Sequence, residues 1–239
     1  MCKNFHTFIF IFLILEFCQA QKNNLLDHSN YKEINSLFNT TYGLKESRLD
    51  PNGLIAIASR QDNLISTATL LCVLGVSWPN AIEMTEEIFL SSEQIINNHS
   101  SDKFRNKLLP GVVKVLETFV ASKINCALIS NDSKEGVKHF LKTNNIEDKF
   151  IGYWSSNDSP SKPNPNAIKE FCYLIKLDPK QCLFIGDSDS DLKMARQAEV
   201  GLTLGYTAGW ASKPKLTYQQ ELIYSWNDLT CQNQTKSLG

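Results

Sequence analysis

The 239-residue chain has no excess of either charge, since 24 basic and 25 acidic side chains leave a formal net charge of −1. Without a polybasic surface, nucleic acid and acidic membrane faces are poor partners. The sequence also has no internal repeat and no low-complexity block. The apolar run Phe8–Leu15 is too short to span a bilayer. These absences argue against a nucleic-acid partner and a stable membrane span. The length suffices for one α/β domain with a smaller inserted domain.

None of the seven cysteines forms a C-x-x-C pair, so neither a metal knuckle nor a redox dithiol is indicated. Cys126, Cys172 and Cys182 lie inside apolar runs, which is typical of buried free thiols in a reducing compartment. The cysteines therefore favour a cytoplasmic protein.

The N-terminus favours a different location. Residues 1–20 combine Lys3, the apolar run Phe8–Leu15 and small residues before Gln21, and this pattern is typical of a secretory signal peptide. Secretion through this signal-like segment is therefore the alternative location.

From residue 109 onward, short apolar strands alternate with amphipathic helices, which predicts a doubly wound parallel sheet. The expected helices begin after Pro110-Gly111 and span 133–143, 165–176 and 189–198. The expected strands are 126–130, 150–153, 182–186, 200–204 and 222–224. Residues 28–106 are mostly helical in pattern, with breaks expected at 51–53 and 78–80. We interpret them as a helical cap domain inserted into an α/β core that spans 107–239.

An acidic cluster follows one predicted strand, in Gly186-Asp187-Ser188-Asp189-Ser190-Asp191. Ligands of open α/β sheets bind outside the carboxyl ends of the strands. Asp187 ends the strand and Asp191 lies in the first turn of the next helix. Both carboxylates could therefore converge on one hard cation such as Mg²⁺. A single acid would need no more explanation than the helix dipole, whereas three acids favour a metal site.

Two further features fall beside strand ends. Ser130 and Asn131 offer a hydroxyl and backbone N–H groups suited to a phosphate oxygen, although Asn131 or Ser133 could simply cap the next helix. Lys162, followed by Pro163-Asn164-Pro165, could neutralise a phosphate or could be an ordinary solvated loop lysine.

Taken in order, the segments "Leu-Ile-Ser-Asn", "Ser-Lys-Pro-Asn-Pro" and "Phe-Ile-Gly-Asp-Ser-Asp-Ser-Asp" resemble three successive motifs of the haloacid dehalogenase-like (HAD-like) hydrolases, in their phosphoglycolate phosphatase-like branch. The resemblance covers about residues 108–225. It implies a Mg²⁺-dependent phosphatase that acts on a small phosphorylated metabolite, as a monomer or homodimer. Ser130, with Asn131, would bind the phosphate and Lys162 would neutralise it. Asp187 would bind Mg²⁺, and Asp191 would be a second ligand or would position Lys162 or a metal-bound water.

The first motif of that family, Asp-x-Asp-Gly, is absent from the sequence. In the family its first Asp is the nucleophile and its second the general acid/base. Counting back from Leu25-Leu26-Asp27-His28 puts Ala20 and Lys22 at those two positions. Ala20 falls at the end of a first core strand expected near 15–20, and Lys22 follows it. The alternative function is therefore a catalytically inactive relative that still binds phosphate, Mg²⁺ or a protein partner.

Overall fold

The computed structural model describes residues 31–45, 48–98, 108–210 and 213–230. The chain divides into two compact units between Lys107 and Leu108, and residues 210–214 group with the first unit. No helix in the described part of the chain is long and apolar enough to cross a membrane.

The first unit is mainly helical, as the sequence pattern indicates. A two-residue antiparallel hairpin, β1 with β2, joins its first two helices and was not expected from the sequence. In chain order the elements are α1 Tyr31–Tyr42, β1 Leu44–Lys45, β2 Arg48–Leu49, α2 Leu54–Ile57, α3 Arg60–Val73 and α4 Trp78–Asn98.

One break expected in this unit is wrong. The chain leaves the helical conformation at 74–77, and Trp78-Pro79-Asn80 forms the first turn of α4. The physical reason is that proline is tolerated in a first turn, where its missing N–H has no intrahelical partner. Helices α1, α3 and α4 share one apolar core around Phe38, Leu71 and Ile88, each of which is less than 2% exposed.

The second unit alternates helices with short strands. In chain order its elements are α5 Val112–Ala121, β3 Ala127–Ile129, α6 Lys134–Thr143, β4 Gly152–Trp154, α7 Pro165–Leu174, β5 Leu183–Gly186, α8 Asp189–Gln197, β6 Leu202–Tyr206 and β7 Glu221–Ile223. Single 3-10 turns lie at Glu147–Lys149, Pro179–Gln181 and Trp226–Asp228.

The strand pairs among the described residues of this unit are parallel: β3 with β4, β5 with β6, and β6 with β7. The expected α/β class with a parallel sheet and a helical domain is thereby confirmed. Most helices and strands agree with the sequence pattern to within two residues. The strand expected at 200–204 begins two residues later, because Val200 and Gly201 donate their N–H groups to Ala195 and Pro179 and close the preceding turn.

Within the described residues, the β3–β4 pair and the β5–β7 sheet are not hydrogen-bonded to each other. They are nevertheless neighbours, because Ile129 of β3 and Phe184 of β5 pack against the same cluster of α7 and α8 side chains. The signal-like segment 1–20 and the first core strand expected near 15–20 lie outside the described residues.

Candidate functional site

The turn between β5 and α8 places two carboxylates at the carboxyl end of the sheet. Asp187 follows Gly186, the last residue of β5. Ser188 is the N-cap of α8, and its side chain accepts a hydrogen bond from the backbone N–H of Asp191 at 3.2 Å. Because serine satisfies an otherwise orphaned N–H at the helix start, it fixes Asp191 in the first turn, four residues after Asp187.

Lys162 and Asp191 form the most buried ion pair of the described residues. The lysine Nζ lies 2.8 Å from Oδ1 of Asp191, and the two side chains are only 10% and 17% exposed. The loop that carries Lys162 is held by Trp154, whose indole N–H donates to the carbonyl of Pro160 at 2.9 Å. Such a desolvated charge pair requires both partners, so Lys162 is not a solvated loop lysine.

The turn between β3 and α6 places Ser130 and Asn131 directly after the end of β3. Ser130 is held to the neighbouring strand, since its backbone N–H donates to the carbonyl of Trp154 at 2.9 Å. Its hydroxyl accepts from the N–H of Asp132 at 3.1 Å. Helix capping falls to Ser133, which accepts from Gly136 N–H at 3.1 Å, so the cap role does not occupy Ser130 or the half-buried Asn131.

Asp189, the middle acid of the cluster, makes different contacts. Its carboxylate accepts from the backbone N–H and the hydroxyl of Thr217 at 2.6 and 2.7 Å, and from the N–H of Tyr218 at 3.3 Å. Of the three acids, therefore, Asp187 and Asp191 are the two that could share one cation. Thr217 was missed by the sequence reasoning, and no local signal links it to an acid 28 residues earlier.

A tyrosine at the end of the next strand adjoins Asp187. Burial raises the pKa of the Tyr206 hydroxyl, and the nearby carboxylates of Asp187 and Asp228 raise that pKa further. The Tyr206 ring packs against Trp226, with ring centroids 5.1 Å apart. Tyr206 therefore stays protonated next to Asp187 well above neutral pH. The sequence reasoning did not single out Tyr206, because the strand was expected to end at residue 204.

The donors at this end of the sheet are hard oxygen ligands. In the described part of the chain no group of three or more His, Cys, Asp or Glu side chains is placed to hold a metal. Mg²⁺ commonly uses only one or two protein carboxylates and completes its octahedron with water and phosphate oxygens. Asp187 and Asp191 fit that donor set, and their roles as ligands stay a prediction.

The chain belongs to a known family. The sequence profile of the haloacid dehalogenase-like hydrolases matches residues 76–204, which is more than half of the chain. Two relatives are phosphoglycolate phosphatases. The enzyme from Salmonella paratyphi A is 32% identical over 129 residues, 51% of this chain and 49% of its own length. The enzyme from Photobacterium profundum is 29% identical over 161 residues, 62% of this chain and 70% of its own length.

This chain thus spans about half the length of several relatives that it matches. Solved structures agree on the fold. A predicted phosphoglycolate phosphatase from Haemophilus somnus aligns with a TM-score of 0.52 at 23% identity, covering 62% of this chain and 65% of that one. A β-phosphoglucomutase from Clostridium difficile aligns with a TM-score of 0.56 at 18% identity, covering 94% and 87%. The expected family and its phosphoglycolate phosphatase-like branch are confirmed.

Proposed function

We propose that the carboxyl end of this sheet binds the phosphate group of a small phosphorylated metabolite together with Mg²⁺, as in a HAD-like phosphatase. The observation that carries the proposal is the ion pair of Lys162 with Asp191. These residues are 29 positions apart in sequence, and the fold desolvates both charges at the strand ends where ligands of α/β sheets bind. A lysine held in place by a buried acid is suited to neutralise phosphate oxygens.

In this proposal each side chain has one task. The Ser130 hydroxyl, which accepts from Asp132 N–H, still has its own proton to donate to a phosphate oxygen. Asp187 would hold Mg²⁺, which would neutralise charge on the phosphate. Asp191 holds Lys162 in position through their ion pair. Asn131 supports the phosphate beside Ser130.

The reaction would be the hydrolysis of a phosphate monoester. In the family it proceeds through attack by the first Asp of the Asp-x-Asp motif, the residue that Ala20 replaces in the sequence register. Removing a catalytic nucleophile costs on the order of 10⁶ in kcat. We therefore expect binding to be retained and turnover to be very slow.

Hydrolysis of p-nitrophenyl phosphate by the full chain in the presence of Mg²⁺ tests turnover, with Asp187→Asn as the matched control. A rate above that of the control supports the phosphatase. A rate equal to it rejects turnover for this chain.

The second candidate is a catalytically inactive binding module, favoured by Ala20 and Lys22. It predicts that Mg²⁺ with inorganic phosphate raises the melting temperature of the full chain without any turnover. It also predicts that Lys162→Met abolishes this rise. If Mg²⁺ with inorganic phosphate does not shift the melting temperature of the unmodified chain, both candidates fail, because both require the same phosphate site.

A further inference from the structure

A pair of thiols lies at the opposite end of β5 from Asp187. Cys172 lies near the C-terminus of α7, and Cys182 directly precedes β5. Because α7 runs back along the parallel sheet, its C-terminus meets the amino ends of the strands. Both side chains belong to one apolar cluster with Ile168, Met194 and Val200. The two cysteines are therefore neighbours in space although ten residues apart.

The two side chains pack in the same cluster, and each thiol lies close enough to the other to influence its pKa. Cys182 donates to the carbonyl of Asp178 at 3.2 Å. Cys172 is buried, at 7% exposure, whereas Cys182 is partly exposed. A small reagent therefore meets Cys182, the more exposed of the two thiols, first.

We propose that Cys172 and Cys182 form a site for an intramolecular disulfide that closes by exchange with a small-molecule disulfide. The Cys182 thiolate attacks one sulfur of the reagent, forms a mixed disulfide and releases one reagent thiolate. The Cys172 thiolate then attacks Sγ of Cys182 and displaces the second. Two protein thiols lose two protons and two electrons, and the reagent is reduced to two thiols.

The surroundings set the rate of this exchange. Burial, the neighbouring Cys182 thiol and the Asp178 carboxylate together raise the pKa of Cys172 to about 12. Burial also raises the pKa of Cys182, while the neighbouring Cys172 thiol lowers it and Asp178 raises it further. Thiolates are scarce near neutral pH, so closure is slow there and accelerates with alkalinity. The bond would tie α7, which follows the Lys162 loop, to β5, which leads to Asp187.

The test is to incubate the full chain with glutathione disulfide at mildly alkaline pH, trap free thiols by alkylation and map the disulfide-linked peptides. The expected product is a Cys172–Cys182 link that is absent in Cys182→Ser and unchanged in Cys126→Ser. Cys126 is a matched control because it is half-buried and packs against a different cluster. We also expect the melting transition of the second unit to rise by about 5 °C on oxidation.

Three results would overturn the proposal. They are a persistent glutathione adduct on Cys182, a link from either cysteine to a different partner, and no loss of these two thiols after prolonged incubation. Peptide mapping of the unmodified chain decides among them even if Cys182→Ser does not fold. The outcome is independent of phosphate or Mg²⁺ binding, which depends on side chains at the other end of the strands.

Discussion

The ion pairs at the two ends of the same parallel strands differ in their exposure to solvent. At the carboxyl end, Lys162 and Asp191 are 10% and 17% exposed and lie 2.8 Å apart. At the amino end, Lys180 and Glu199 lie 3.3 Å apart and are 69% and 64% exposed. A surface pair contributes little to stability, whereas a desolvated pair is costly unless matched. Of these two pairs, the buried one lies at the carboxyl ends of the strands, where ligands of open α/β sheets bind.

The two ends also differ in the side chains that they hold. The carboxyl end holds a buried lysine, a serine hydroxyl and two carboxylates in one unit. Both carboxylates of the Asp-x-Asp motif, the nucleophile and the general acid/base, are missing from the sequence. The amino end holds thiols and solvated charges, whose removal should leave ligand binding intact. Mutations at the two ends can therefore be compared in the same background.

The largest expected effect is a gain of activity. Ala20→Asp combined with Lys22→Asp would restore the Asp-x-Asp pattern at positions that lie outside the described residues. Because loss of such a nucleophile costs on the order of 10⁶ in kcat, we expect the double variant to hydrolyse p-nitrophenyl phosphate at least about 10³-fold faster than the unmodified chain. The matched control is Gln19→Asp with Gln21→Asp, which would face the other side of a strand. An equal gain in both would show that the register is wrong.

The next effect concerns the buried ion pair. Lys162→Met or Asp191→Leu alone leaves an unmatched buried charge and should lower the free energy of unfolding by about 3 kcal/mol. The double variant replaces both charges with apolar groups, and we expect a loss of about 1 kcal/mol or less. Urea unfolding followed by circular dichroism measures all three. Additive losses in the double variant would contradict a direct pairing.

Much of the candidate site could be predicted because its residues follow apolar strands directly. Ser130 and Asp187 each come after such a strand, and parallel strands bring their carboxyl ends to one edge. The contact of Asp191 with Lys162 was expected only from the resemblance to the family, and the role of Asp191 stays a prediction.

Other features depend on contacts that no local pattern encodes. The partners of Asp189 are Thr217 and Tyr218, which lie on a loop that follows β6. The thiol pair joins residues on α7 and before β5, and each cysteine alone has the pattern of a buried apolar residue. Strand β4 begins two residues later than expected. The N–H of Phe150 still donates to the carbonyl of Glu147 and closes the preceding 3-10 turn.

A smaller effect is expected at Asp189. Asp189→Ala removes the acceptor of three hydrogen bonds to Thr217 and Tyr218, and we expect a loss of about 1 kcal/mol because these groups are accessible to water. Thr217→Val removes only the hydroxyl and should cost less. A double-mutant cycle measures their coupling. A coupling energy of zero would mean that the carboxylate does not hold this loop.

The smallest effect is expected at the exposed pair. Lys180→Met should change the free energy of unfolding by less than about 0.5 kcal/mol, because water and salt already screen this lysine from Glu199. Repeating the measurement in about 1 M NaCl should remove even that difference, whereas the loss caused by Lys162→Met should persist because its pair is shielded from solvent ions. If both losses vanish with salt, solvent ions screen both pairs equally. That result would count against a phosphate site at Lys162 that is shielded from solvent.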